Sequence, residues 1–300
     1  MKNNKDIAIY ALDALKKAGA DHAQCIVTSG KVDELNVDGG NFSLLRTLFN
    51  SSIALKALKD GKKGTIIANR LDKYSIDKAV LDCVTSAQSS TPDDAEAISE
   101  KIKNESFETG ALSPDRDKLF DRLQELLIDT KKYYPKIMIE QLVSSYSKAE
   151  SLLMNTNGVE FRNNSGKYNI SLMFSAHEGD KTSSFMGYDF DFADLDRKLL
   201  DIGMLRTLFS ESEKQITTKP FMGKFVGKVL FTPACLIDIM MTVVGNFMSD
   251  MTIIDGTSPW ISMLGNKVAS SKLSMSTIPL DERITTGERF TGEGYKSDNM

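Results

Sequence analysis

Apolar positions recur every three to four residues over Asp6–Ala18, with Ile7, Ala8, Ala11, Leu12 and Leu15 on one face, which predicts an amphipathic helix that Gly19 ends. The pattern then changes to short apolar-rich segments. Strands are expected around Gln24–Thr28, Asp33–Val37, Leu44–Phe49, Ser52–Lys59 and Thr65–Ala68, and a helix over Ser75–Gln88. The polar stretch Ser89-Ser90-Thr91-Pro92-Asp93-Asp94 breaks the pattern and opens an acidic linker that runs to Pro114.

About 118 positions on, the pattern repeats. A helix over Asp115–Tyr133, apolar at Leu119, Phe120, Leu123, Leu126 and Leu127, is stopped by Pro135. Strands are expected over Ile137–Tyr146, Ala149–Asn155, Val159–Asn164, Lys167–Ala176 and Lys181–Tyr188, followed by a helical stretch from Phe192 to Leu200. The turn at Gly39-Gly40 corresponds to that at Gly158, and Lys59-Asp60 at a hairpin turn to His177-Glu178. The predicted fold class is therefore α+β: duplicated units of helix plus antiparallel sheet, with the helices on one face. The expected division is 1–110 for the first unit, 111–218 for the second and 219–300 for a third region. In that region Gly-punctuated strands and a Met-rich segment appear, and Met240, Met241, Met248 and Met251 are expected to fill a core.

Composition adds limits. Three hundred residues with 37 basic and 41 acidic side chains carry a net charge of −4, which argues against a dedicated nucleic-acid surface. The N-terminus runs straight into a helix without an apolar signal core, and the apolar run Cys235–Met248 is broken by Asp238, Gly245 and Asn246. A cytoplasmic location is expected. Cys25, Cys83 and Cys235 are widely spaced without a C-x-x-C pair, so reduced and buried thiols are expected rather than a disulfide framework.

Several motifs resolve into ordinary structure. Gly61-Lys62-Lys63-Gly64-Thr65 lacks the order of a phosphate loop and reads as a hairpin turn. The alternating acids of Asp189–Asp196 lack the glycine and terminal glutamate of a calcium loop, and helix capping by Asp191 or Asp194 is expected. The two histidines, His22 and His177, read as loop and turn residues. No catalytic, cofactor-binding or metal-binding residue is assigned in this chain.

Gly39-Gly40-Asn41-Phe42 with Arg46, the Asp60–Gly64 turn, Leu71-Asp72, Ser75–Val80, Phe174–Gly179, Gly203-Met204-Leu205-Arg206 and Gly227–Pro233 together resemble the TldD/PmbA family over nearly the whole chain. That resemblance implies a family known as candidate modulators of DNA gyrase and as metallopeptidases, working as paired paralogues. It also implies that 219–300 begins a β-rich C-terminal domain inside which the chain stops. The TldD-type partner carries a His-Glu-x-x-x-His zinc motif, which the resemblance aligns with Thr232-Pro233-Ala234-Cys235-Leu236-Ile237, following a strand over Lys228–Phe231. None of these six residues is histidine or glutamate, and no histidine follows residue 177. A catalytic zinc needs about three protein ligands and a nearby base, so the chain resembles the PmbA/TldE type, which lacks the motif. Zinc is then expected only in a motif-bearing paralogue. The implied role is that of a partner subunit, in a hetero- or homo-oligomer, assisting proteolysis of extended or unfolded peptides, which sheet edges accept as an added strand. The other reading is a non-proteolytic regulatory module acting on gyrase or a toxin.

Overall fold

The computed structural model describes residues 3–299. They fall into two compact units, one made of the residues before Lys219 together with those from Ile278 on, the other of Lys219–Thr277.

The first unit is built on one eight-stranded sheet. Helix α1 (Asn4–Lys17) leads to strands β1 (His22–Asp38), β2 (Asn41–Lys59) and β3 (Lys62–Ala68), then to helix α2 (Lys73–Ser89). After β4 (Glu105–Gly110), the order recurs as helix α3 (Arg116–Tyr133), β5 (Ile137–Asn155), β6 (Glu160–Glu178), β7 (Lys181–Thr182), β8 (Met186–Phe192) and helix α4 (Leu205–Gln215). Asn3, Asp72 and Asp115 start α1, α2 and α3 by accepting a hydrogen bond from the backbone N–H three residues on. The sheet order is β3-β2-β1-β5-β6-β4, with β7 and β8 also paired to β6.

Helix, long hairpin, further strand and closing helix thus recur in that order, with β7 and β8 in the second copy where the first has β3, but the strands differ from expectation. Four short strands in each copy are two long ones, of 17 and 19 residues in the first copy and 19 each in the second. At about 3.3 Å per residue each spans roughly 60 Å. Polar stretches such as Ser29-Gly30-Lys31 and Ser144-Ser145 do not interrupt them, because β1 and β5 have ladder partners on both sides. The predicted helix over 192–200 gives way to β8, a short 3₁₀ turn at Leu199–Asp201 and, further on, α4. Asp191 lies in β8 and pairs with Lys167, while the Asp194 carboxylate accepts from the Asp196 N–H to close a turn, so neither caps a helix.

Period-2 alternation sends one face of the sheet to the helices. Ala23, Cys25 and Val27 of β1 and Ile53, Leu55 and Ala57 of β2 pack with Leu152 against α1 and α2. Val37, Leu142, Tyr146, Tyr168, Ile170, Leu172 and Phe174 form a second cluster against α3 and α4. In β5 the inward set changes parity between Ile139 and Leu142. The register shift at Glu140 supplies the extra residue that lets both point inward. The opposite face carries Ile26, Leu153, Val159 and Phe161, covered by Ile102 and Phe107 of the linker and by Phe290. That linker was expected to be a bare connection; its β4 instead pairs parallel to β6.

Asp33 lies on the helix face of β1 and is nearly buried. Burial alone would raise its carboxyl pKa, but hydrogen bonds from Thr47, Arg116 and Lys31 outweigh it and hold the carboxyl below its usual range. The Arg116 guanidinium, at the start of α3, donates twice to Asp33 Oδ2, at 3.0 and 2.5 Å, and so ties the second copy's helix to the first copy's strand.

The second unit contains α5 (Pro233–Val243), a π-helical turn at Val244–Met248 and α6 (Asp250–Ile254). No strand occurs among its described residues, and Lys228–Phe231 runs without a ladder partner. Met241, Met248 and Met251 are exposed rather than core, because no second layer of structure within this unit covers them. By length and composition Cys235–Ile254 could cross a membrane, yet Ser249 adopts an extended conformation that breaks the helix within it.

A Cβ at Gly64 would collide with the Cys83 carbonyl oxygen and the Ala87 backbone nitrogen of α2, whereas one at Gly187 meets nothing. Gly64→Ala is expected to destabilise the protein by about 1–3 kcal/mol in urea melts, and Gly187→Ala to change stability by no more than about 0.5 kcal/mol. For Arg116→Met, loss of a charged donor to Asp33 is expected to cost about 1–2 kcal/mol at neutral pH, at the low end because the arginine is half exposed. A depressed carboxylate pKa contributes stability that is present above the unfolded value of about 4 and is lost as pH falls through the lower folded value. Melts in acid should therefore show the gap between wild type and Arg116→Met closing.

Candidate functional site

Local chemistry explains the residues singled out by sequence. The Asp60-Gly61 hairpin has positive φ at both positions, 52° and 69°, the mark of a two-residue turn matched to strand twist. Lys63 and Lys56 both pair with Glu96, and Lys62 donates to the Gln88 carbonyl, so this basic pair closes on the protein itself. His22 is the exposed first residue of β1. Burial pushes the Cys25 thiol up to about 12 and the Cys83 thiol up to about 11. Cys235, expected to be buried, is exposed on α5.

His177, near the end of β6, has company that its sequence context does not reveal. Its Nε2 lies 2.8 Å from Ser175 Oγ, which in turn lies 2.8 Å from Glu140 Oε1 at the β5 bulge. A serine nucleophile requires its base to meet the hydroxyl through one ring nitrogen and an acid through the other. Here the Glu140 carboxylate approaches the same nitrogen, 3.6 Å away, and Ser175 is buried. The trio fastens the bulge to the neighbouring strand; it is not arranged for acyl transfer.

The position aligned with a zinc motif is the first turn of α5. Thr232 precedes the helix, Pro233 opens it, and Cys235, Leu236 and Ile237 are exposed. The donor set does not fit a catalytic zinc: it offers one thiol, no imidazole and no carboxylate. Among the described residues no group of three or more His, Cys, Asp or Glu side chains is placed to hold a metal.

What the fold does assemble is a recess of about 340 Å³ between α3 and the β1–β2 hairpin. Leu35, Leu45, Leu119 and Phe120 supply apolar walls, Tyr146 and Tyr168 stand beside them, and Asp33, Arg116 and Asp117 bring charge to its lining. The Tyr146 hydroxyl donates to the Ala111 carbonyl, and the Tyr168 hydroxyl accepts from the Asp115 N–H, so both rings are fixed. Burial, with Tyr168 and Asp33 nearby, raises the Tyr146 pKa. The recess has the character of a site for an apolar side chain, not for bond breaking. Sequence reasoning missed it because its residues come from five separate segments.

Comparison with known proteins agrees with this architecture. Residues 224–300 match the family model of the PmbA/TldA metallopeptidase C-terminal domain. No curated protein sequence matches the chain. Among solved structures, TldE from Thermococcus kodakarensis is similar with a TM-score of 0.72 at 13% identity, over 98% of this chain and 66% of that one. A candidate modulator of a DNA gyrase from Thermotoga maritima gives 0.72 at 16% identity, over 99% and 68%. Another, from Bacteroides thetaiotaomicron, gives 0.74 at 17% identity, over 100% and 69%. The chain therefore spans about two thirds of the length of these proteins. At such identities the structural likeness speaks for the fold, and the family model speaks for residues 224–300; both agree with the resemblance to the TldD/PmbA family read from the sequence.

Proposed function

We propose that this chain is a PmbA/TldE-like, non-catalytic subunit that acts with a zinc-bearing TldD-type paralogue on extended or unfolded peptides in the cytoplasm. The observation that carries this reading is the start of α5. Where the resemblance places the zinc motif, Thr232, Cys235, Leu236 and Ile237 offer neither the ligands nor the base that metal-assisted hydrolysis needs. The similarity to TldE supports the same assignment within the family.

For the peptide, the recess beside α3 offers an apolar floor with charges at its margin, the composition of a pocket that holds one side chain of an extended segment. Its role in this reading is to position substrate, while the paralogue supplies the metal and the activated water. The rival is a regulatory module without proteolysis, which draws on the description of two structural neighbours as candidate gyrase modulators. The net charge of −4 gives direct DNA contact no support.

The purified chain alone is expected to hold no stoichiometric zinc and to cleave no unfolded peptide. Mixed with a paralogue that carries His-Glu-x-x-x-His, it is expected to co-purify and to increase cleavage, and Leu45→Asp together with Phe120→Asp should reduce that increase. Elemental analysis, light scattering and a peptide-cleavage assay read these outcomes. About one tightly held zinc per chain with chelator-sensitive activity would overturn the subunit reading. Failure to co-purify or to alter cleavage would put the regulatory reading ahead.

A further inference from the structure

The recess beside α3 has an apolar interior and a mouth at which charge is separated. Nearly buried Asp33 is held by two cations: the Lys31 Nζ lies 3.2 Å from its Oδ1, and Arg116 Nε and Nη2 donate to its Oδ2. These three groups leave one net positive charge, and Nη1 of the guanidinium has no partner among the described residues. Asp117, the next residue in the first turn of α3, brings one negative charge to the same lining. Its carboxylate makes no hydrogen bond or ion pair among the described residues.

We propose that the recess binds a free amino acid with a large apolar side chain, of the leucine or phenylalanine type. The side chain enters between Leu35, Leu45, Leu119 and Phe120, the α-carboxylate takes the open Nη1 of Arg116, and the α-ammonium lies against Asp117. Charge selects this class of ligand. A lone carboxylate or a phosphate would gain from Arg116 but face Asp117, and a lone amine would gain from Asp117 but face Arg116 and Lys31. A zwitterion with both charges on one carbon matches two successive residues of one helical turn. The volume of about 340 Å³ is near the lower limit of small-molecule sites, about 300–1,000 Å³, which suits a ligand of this size. Such binding rests on the reading of the recess as a holder of one apolar side chain, and adds that no peptide is needed to supply it. An amino acid released by peptide breakdown then competes with the next side chain for the same place.

Isothermal titration calorimetry on the full chain tests this with L-phenylalanine, 3-phenylpropionate, 2-phenylethylamine and N-acetyl-L-phenylalaninamide, each titrated to millimolar concentration. L-Phenylalanine is expected to bind, and the two analogues lacking one charge to bind about five- to tenfold more weakly, the effect of one charge-assisted hydrogen bond at a half-exposed position. Asp117→Asn, at an exposed residue, should weaken L-phenylalanine by the same factor without weakening 3-phenylpropionate. Leu45→Asp, at a residue 74% exposed, should abolish binding of both. N-acetyl-L-phenylalaninamide binding as tightly as L-phenylalanine would overturn the amino-acid assignment and leave the peptide role of the recess standing, whereas no binding by any of the four would overturn both. L-Phenylalanine affinity unchanged in Asp117→Asn, or persisting in Leu45→Asp, would likewise overturn the assignment.

Discussion

The whole first unit depends on the pairing of β1 with β5. These strands come one from each copy of the repeat and lie antiparallel from Gln24 opposite Asn155 to Asp38 opposite Gln141. Two hairpins that would each be a marginal ribbon in water become the centre of one wide sheet, with backbone groups satisfied on both sides of each central strand. Since opposed residues share a face, Val27 with Leu152 and Val37 with Leu142 commit both helix pairs to the same side. A slip of one residue would turn every one of these side chains to the other face, so the apolar pattern and the Glu140 bulge fix the arrangement jointly.

Much of this was written locally and so could be read locally. The helices α1, α2 and α3 follow from their apolar stripes and capping residues, and the hairpin turns follow from Gly39-Gly40 and Asp60-Gly61. Strand length was less legible, since serines and lysines in the middle of β1 and β5 look like breaks until partners on both sides are known. Parallel β4, Glu-Ser-Phe-Glu-Thr-Gly, has little alternation of its own and exists because β6 offers it an edge. The exposed methionines show the converse: an apolar composition predicts burial only where something packs against it.

The lack of a zinc donor set near Thr232 could be read from composition alone, because two histidines limit what any fold can build. The recess could not. Asp33 and Leu35, Leu45, Arg116 to Phe120, Tyr146 and Tyr168 meet only after the two copies join, so the pocket is a product of the duplication rather than of either unit. Its charged lining is also what keeps Asp33 ionised in a nearly buried position, which links the pocket's electrostatics to the joint between the copies.

The far face of the sheet is covered by residues 290–296. Phe290 stacks on Phe161, Gln24 donates to the Gly292 carbonyl, the Ser99 N–H donates to the Glu293 carbonyl, and Lys296 pairs with Glu105. A sheet whose first strand begins at His22 therefore waits for residues synthesised some 270 positions later before that side is closed. During translation the surface around Ile26, Leu153 and Phe161 emerges from the ribosome well ahead of its cover. Such late, long-range closure slows folding and leaves apolar surface open to chaperones in the interval.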